Sequence, residues 1–154
     1  MFISDTGLNF IDLFAGAGGL SEGFCQAGYN PIAHVEMNKA AAETLETRAA
    51  YYYLKENRNM RLYYQYERGE TTRGQLFEHI PQEVTKTVIN AEMKDNTLDA
   101  IFTRIDNIIK EDSINDLDLI IGGPPCQAYS LVGRAQSSHM NIPMKDDPRN
   151  ELYI

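Results

Sequence analysis

Near its start the chain contains a strand, a glycine-rich turn and a helix in direct succession. Residues 9–14, Asn-Phe-Ile-Asp-Leu-Phe, are typical of a strand, and the run stops at Ala-Gly-Ala-Gly-Gly in positions 15–19. Apolar residues then recur at helical spacing over residues 20–27, and Gly28 stands where a helix C-cap is expected. This order constrains the fold strongly, because it begins the repeating unit of an α/β protein.

The following segments extend this βαβ pattern. Residues 32–36 are predicted to form a second strand that ends on Glu36, and residues 40–54, rich in Ala, Leu and Glu, a helix that packs on the sheet. Residues 101–109 contain a possible third strand that ends near Asp106. Residues 117–121, Leu-Asp-Leu-Ile-Ile, have the composition of a buried parallel strand.

The middle of the chain has a different character, with tyrosines set among Lys, Arg and Glu. Residues 71–77 and 84–89 suggest short helices, so we interpret residues 51–101 as an inserted helical lobe. Tyrosines interleaved with arginines could stack on nucleic-acid bases. Alternatively, their apolar parts cover a core while their polar ends stay in water.

Composition limits the class of protein. With 154 residues, 43% of them hydrophobic, the chain can bury a single core. Its two cysteines, Cys25 and Cys126, are too few for a disulfide framework, and no leader or membrane-spanning run is evident, so we expect a reduced, cytoplasmic protein. The net charge of −8 argues against a self-sufficient nucleic-acid binder, although a local basic patch remains open.

Cys126 is the strongest candidate for a reactive residue. It follows the predicted strand 117–121, and α/β proteins place their chemistry at the carboxyl ends of strands. A lone cysteine is more often a buried small hydrophobe, and Cys25, in a helix beside Phe24, fits that description. The pair Pro124-Pro125 stiffens the segment before Cys126, which favours a nucleophile.

The glycine turn and Glu36 together predict a nucleoside ligand. The pattern Gly16-x-Gly18-Gly19 lets the backbone approach a ligand closely, but it lacks the spacing of the dinucleotide-binding GxGxxG motif. Glu36 lies about 20 residues beyond the turn, where a carboxylate can accept hydrogen bonds from both hydroxyls of a ribose. The turn and Glu36 together therefore predict a nucleoside-containing ligand, and the missing GxGxxG spacing disfavours a dinucleotide.

Three segments resemble motifs of one enzyme family. Residues 10–19 and 123–130 (Gly-Pro-Pro-Cys-Gln-Ala-Tyr-Ser) resemble the first and fourth motifs of the S-adenosylmethionine-dependent DNA (cytosine-5)-methyltransferases, and residues 147–152 resemble the fifth. The resemblance implies a Rossmann-like, doubly wound parallel sheet. Residues 1–154 would be the amino-terminal part of its catalytic domain, with the helical lobe as an insertion.

The resemblance also assigns roles to matching residues. It implies a nucleophile at Cys126, substrate contacts at Gln127, Ser130 and Arg134, and no metal. The cofactor contacts would be Phe14, Gly16, Gly18, Gly19, Glu36 for the ribose, Met37 and Asp106 for the adenine, Pro124, and Leu152 for the apolar wall. Asp106 departs from the family pattern, because Ile105 and Asn107 replace the usual glycine and apolar neighbours.

The resemblance implies a covalent mechanism on a flipped base. The thiolate of Cys126 would add to cytosine C6, and C5 would then take the methyl group from S-adenosylmethionine, leaving S-adenosylhomocysteine as the product. Loss of the C5 proton and elimination of the thiol would complete methylation of duplex DNA, in restriction-modification or epigenetic marking.

Several family segments are absent from these 154 residues, among them Glu-Asn-Val, Gln-x-Arg-x-Arg and a target-recognition region. We therefore expect a fragment that is inactive alone and whose strand around Leu119 lies at an unpaired edge. One alternative is a tRNA cytosine-5 methyltransferase. Another is a non-catalytic cofactor-binding subunit that pairs with a second chain carrying the missing motifs.

Overall fold

The computed structural model describes residues 7–124, which alternate strands with helices. In chain order the elements are β1 (Asn9–Leu13), α1 (Gly19–Gln26), β2 (Asn30–Glu36), α2 (Lys39–Glu56), α3 (Met60–Glu67), α4 (Arg73–Phe77), α5 (Gln82–Thr85), β3 (Val88–Asn90), α6 (Asp95–Glu111) and β4 (Leu119–Gly122). The predictions of β1, α1, β2, α2 and β4 are confirmed to within a few residues.

The four described strands form one parallel sheet in the order β3-β2-β1-β4. The chain first builds the sheet outward from β1 through β2 to β3, and then returns to add β4 on the other side of β1. This is a Rossmann-like α/β sheet, as the sequence predicted. The order reverses between β1 and β4, and α/β proteins bind ligands outside the carboxyl ends of strands at such a point.

Helix α6 covers one face of the sheet. Ile101, Ile105 and Ile108 are buried in one apolar cluster with Ile11, Ala33, Val35 and Ile89 of the strands. These three isoleucines recur at intervals of four and three residues, which is the spacing of one helix face. Burial of each such side chain contributes roughly 1.5–3 kcal/mol.

The prediction of a strand within residues 101–109 is wrong, because the segment lies inside α6. The run of β-branched isoleucines suggested a strand. The intervening side chains Arg104, Asp106 and Asn107 are exposed, however, so the helical period decides the structure. The third strand is instead β3, a three-residue element at Val88–Asn90 that pairs with β2.

Helices α1 and α2 lie on the other face. Phe10 of β1 contacts Phe24 of α1 at 5.5 Å between ring centroids, and His34 of β2 at 6.3 Å. Leu45 of α2 is buried with Ala15, Ala42 and Val88 in a second apolar cluster. The structure therefore places helices on both faces of the sheet.

The tyrosine-rich region forms a third cluster beside the sheet. Ala50, Leu54, Leu76 and Ile80 are buried, and the partly buried side chains of Tyr53, Met60, Leu62, Tyr63, Tyr66, Phe77 and Val84 pack against them. These three tyrosines therefore pack on a core, which agrees with the second of the two interpretations. Within the predicted lobe, residues 51–101, α2 continues unbroken to Glu56 and β3 belongs to the main sheet, with α3, α4 and α5 between them; that these helices are an insertion stays a prediction.

Strand β4 lies at an edge of the described sheet, as predicted for the strand around Leu119. At its carboxyl end Gly122 pairs with Leu13 of β1. A side chain at position 122 would place its Cβ 2.4 Å from the Leu13 carbonyl oxygen, so the close approach of these strands requires glycine. None of the helices within residues 7–124 has the length and apolar character needed to cross a membrane.

Candidate functional site

The candidate site is built around the turn that follows β1. Phe14 has a φ of 60°, Gly16 of 56° and Gly18 of 81°, so three residues of the turn adopt left-handed backbone. For Phe14, a non-glycine residue, this conformation costs about 1–2 kcal/mol. The amide of Ala15 donates to the Val35 carbonyl at 3.0 Å and thereby ties the turn to β2. Such strained backbone is concentrated at functional sites.

Glu36 connects this turn with the start of α2. One carboxylate oxygen accepts the amide of Gly16 at 2.7 Å, and the other accepts the amide of Asn38 at 2.6 Å. Each oxygen has two lone pairs, so the carboxylate can still accept further hydrogen bonds. Beside it, Met37 is 65% exposed, the largest exposed fraction among the exposed large hydrophobic residues of the described region.

The end of β3 adds a residue that the sequence interpretation missed. The amide nitrogen Nδ2 of Asn90 donates to the carbonyl of Glu36 at 2.8 Å and to that of Met37 at 3.1 Å. The amide of Ala91 donates to the same Glu36 carbonyl at 3.1 Å. The sequence signal for this site residue is an asparagine directly after two β-branched residues. That signal can be used only after β3 has been identified as a strand.

A buried carboxylate, also missed from sequence, lies near the end of β1. Asp12 is only 1% exposed; its Oδ2 accepts the hydroxyl of Ser21, whereas its Oδ1 has no hydrogen-bond partner among the described residues. Burial raises the pKa of Asp12 above its ordinary value, the Ser21 hydrogen bond opposes that rise, and the charge of Glu36 adds to it. An incompletely partnered buried carboxylate is a feature of binding sites.

Arg48 of α2 holds the glycine turn from the helix side. Its guanidinium donates to the Ala17 carbonyl at 3.2 Å and to Glu22 of α1 at 2.7 Å. Glu22 also accepts the hydroxyl of Tyr52, and these contacts lower the pKa of Glu22 against the opposing effect of burial. The turn is therefore fixed on one side by Glu36 and on the other by Arg48.

The structure brings several predicted residues together and places another in a helix instead of a strand. Gly16 and Glu36 are in contact, with Phe14 in the same turn and Met37 next to Glu36. Asp106 is exposed in the middle of α6, so the prediction that it lies at the end of a strand is wrong, whereas its contact with the adenine stays a prediction. The predicted residues that lie outside the described region are Cys126, Gln127, Ser130, Arg134 and Leu152, whereas Pro124 is its last residue.

Comparisons with known proteins identify the family to which the sequence is similar. A model of the family described as C-5 cytosine-specific DNA methylase matches residues 8–61 and 77–153. The type II methyltransferase M.Bpa9945I of Bacillus paralicheniformis is 39% identical over 160 residues, which cover 93% of this chain and 35% of the relative. M.DdeI of Desulfomicrobium norvegicum is 33% identical, covering 96% of this chain and 23% of the relative.

A third relative, the type II methyltransferase M1.HphI of Haemophilus parahaemolyticus, is 26% identical, covering 95% of this chain and 27% of the relative. This chain thus spans 35% or less of the length of these three relatives. No solved structure shows a significant match to this chain. The family match leaves out residues 62–76, which hold most of α3 and most of α4.

Proposed function

Because this chain belongs to the C-5 cytosine-specific DNA methylase family, we propose that it carries the cofactor site and the nucleophile of a DNA (cytosine-5)-methyltransferase. The enzyme would transfer a methyl group from S-adenosylmethionine to C5 of cytosine in duplex DNA. The names of its relatives as type II methyltransferases favour a role in restriction-modification, and a DNA substrate favours the cytoplasm.

The observation that carries this proposal is the position of the Glu36 carboxylate. It lies at the carboxyl end of β2 and accepts amides from the glycine turn and from the start of α2. A carboxylate that is fixed in this way and has unused lone pairs can accept hydrogen bonds from the two hydroxyls of a ribose. Its geometry therefore supports a nucleoside ligand at the end of the sheet.

The residues around Glu36 fit the other parts of S-adenosylmethionine. The exposed side chain of Met37 offers an apolar surface for a planar adenine. The buried, incompletely partnered carboxylate of Asp12 favours a cationic ligand group, because charges interact strongly where water is excluded. A Cβ at Gly19 would meet no described atom within 4 Å, so there is open space beside the turn.

When bound, S-adenosylmethionine supplies an electrophilic methyl group on a sulfonium centre. In our proposal the protein's tasks are to hold this group and to activate the cytosine. The thiolate of Cys126 would add to C6 and raise the electron density at C5, which then takes the methyl group. Loss of the C5 proton allows the thiol to leave and restores the aromatic ring. The cytosine must be flipped out of the duplex for this attack.

We also propose that these residues do not methylate DNA on their own. The resemblance implies that a glutamate in a Glu-Asn-Val segment protonates cytosine N3, and that segment is not among the 154 residues. Without this proton, addition of the thiolate to C6 places negative charge on the ring. A methylation assay that detects transfer by residues 1–154 alone would contradict this part of the proposal.

Covalent trapping tests the proposed reaction. Fluorine at C5 cannot leave as a proton does, so duplex DNA containing 5-fluorocytosine should remain attached to the protein that carries this chain when S-adenosylmethionine is present. We expect the adduct, seen on a denaturing gel, to be lost in Cys126→Ser and kept in the control Cys25→Ser. An adduct that survives in Cys126→Ser would refute the assignment, and one that forms only with fluorinated tRNA would replace the DNA substrate.

A further inference from the structure

Asn90 and Glu36 hold opposite ends of one peptide group. The peptide that joins Met37 to Asn38 presents its carbonyl to Asn90 Nδ2, at 3.1 Å, and its N–H to Glu36 Oε1, at 2.6 Å. A peptide group is planar, and in the trans form its carbonyl and N–H point in opposite directions. Any rotation of this group therefore disturbs both hydrogen bonds at once.

The carbonyl of Glu36 is held by the same side chain. Asn90 Nδ2 donates to it at 2.8 Å, alongside the amide of Ala91 at 3.1 Å. One amide group on β3 thus fixes two successive carbonyls at the point where β2 ends and α2 begins. The side chain of Asn38 caps α2 by accepting the amide of Ala41 at 3.1 Å, so the helix start is fixed independently of Asn90.

We propose that Asn90 is a positioning residue for the nucleoside site, acting on Glu36 through the Met37–Asn38 peptide. This inference rests on the proposed function, since it assumes that the Glu36 carboxylate binds the ribose of S-adenosylmethionine. Asn90 sets the direction of the Asn38 N–H, and that N–H in turn orients the carboxylate. The role differs from that of a ligand contact, because it requires no atom of Asn90 to touch the cofactor.

The substitution Asn90→Asp tests the proposal with almost no change in shape. An aspartate offers only acceptor oxygens, which would face the carbonyls of Glu36 and Met37 and repel them. The peptide should reorient, and the carboxylate should lose the Asn38 N–H. We expect the Kd for S-adenosylhomocysteine, measured by calorimetry, to rise about tenfold, the effect of losing roughly one hydrogen bond to a charged group.

The chain offers a matched control at the other end of α2. Asn57 is also exposed, and its Nδ2 donates to the main-chain carbonyl of Tyr53 at 2.8 Å. Helix α2 has 18 residues, which places Asn57 about 25 Å from the Glu36 corner. Asn57→Asp makes the same chemical change and should leave the Kd as it is in the wild type.

A double-mutant cycle distinguishes positioning from a general structural role. If Asn90 acts through Glu36, Asn90→Asp should weaken binding in the wild type but add little in a Glu36→Gln background. Equal losses in both backgrounds would overturn the inference, as would an unchanged Kd in Asn90→Asp. If urea denaturation shows that Asn90→Asp is unfolded, Asn90→Ala takes its place in the same cycle.

The two proposals fail in different ways. A wild-type protein that does not bind S-adenosylhomocysteine would refute the proposed function, and the inference about Asn90 with it. A wild type that binds, together with an Asn90 variant that binds equally well, would refute only the inference.

Discussion

Replacement of Gly18 by alanine is expected to destabilise the chain through two separate effects. Gly18 has a φ of 81°, which an alanine adopts only with strain. In addition, a Cβ at this position would lie 2.6 Å from Cδ2 of Leu45, well inside van der Waals contact. Leu45 is 3% exposed and packed in an apolar cluster, so it has little room to move away.

The magnitude follows from these two costs. Left-handed backbone costs an alanine about 1–2 kcal/mol, and overpacking of a core costs typically 1–3 kcal/mol. The reduced freedom of the unfolded chain returns up to about 1 kcal/mol when glycine becomes alanine. We therefore expect Gly18→Ala to lower the free energy of unfolding by roughly 1–5 kcal/mol.

Two neighbouring glycines serve as controls in the same urea-denaturation experiment. Gly16 has a φ of 56°, but a Cβ added to it would meet no described atom within 4 Å, so Gly16→Ala should show only the backbone cost. Gly19 has neither a positive φ nor a close neighbour and begins α1, so Gly19→Ala should be neutral or slightly stabilising. If Gly18→Ala proves as stable as Gly16→Ala, the argument from the Leu45 contact is refuted.

Three further predictions concern other groups. The side chains of Arg48 and Arg73 are 35% and 34% exposed and each pairs with a glutamate, but of the two only Arg48 donates to the Ala17 carbonyl. Arg48→Met should therefore weaken S-adenosylhomocysteine binding more than Arg73→Met does. Equal losses of affinity would contradict this. Burial, assisted by Arg48, lowers the pKa of His34 from 6.5 to about 4. As the pH falls, the unfolded chain therefore takes up a proton on His34 at a higher pH than the folded chain does. Between pH 6.5 and about 4, the free energy of unfolding of the wild type should fall by up to about 3 kcal/mol more than that of His34→Gln. Parallel pH profiles of the two free energies would refute this. Partial burial raises the pKa of Cys25 to about 11, so its thiol, followed in a Cys126→Ser variant, should react slowly with a disulfide reagent at mildly alkaline pH until urea unfolds the chain; equal rates in the folded and unfolded chain would contradict the raised pKa.

The first half of the sheet could be predicted from sequence because its signals are local. The strand, the glycine turn and the helix at residues 9–26 follow one another directly, and each has the composition that its structure needs. Gly18 also shows why the turn has its sequence, since both its backbone angle and its contact with Leu45 exclude a side chain. Local propensity and tertiary packing agree here.

The third strand could not be predicted in this way. Strand β3 is only three residues long and is stabilised by pairing with β2, from which it is separated by four helices. Isoleucines at 101–109 gave a stronger local strand signal, but their buried members face one side of a helix. Mistaking α6 for a strand led directly to the wrong position for Asp106, which lies within a helix and not at the end of a strand.

The hydrogen bonds that hold the site residues in place could not be predicted from the sequence either. Asn90 reaches Glu36 across 54 residues of chain, and Arg48 reaches Ala17 across 31. Such contacts depend on how elements assemble, not on local pattern. The residues identified in advance, Gly16 and Glu36, lie at the ends of predicted strands, where the topology of an α/β protein already brings side chains together.

Equilibrium binding of S-adenosylhomocysteine shows whether Glu36 and the glycine turn form the cofactor site. Glu43 provides a control, since it is a 43% exposed glutamate on α2 that pairs with Lys39. We predict that the wild type binds, that Glu36→Gln weakens binding about tenfold or more, and that Glu43→Gln binds like the wild type. Absence of binding to the wild type, or equal affinity in Glu36→Gln, would show that this carboxylate does not hold the cofactor.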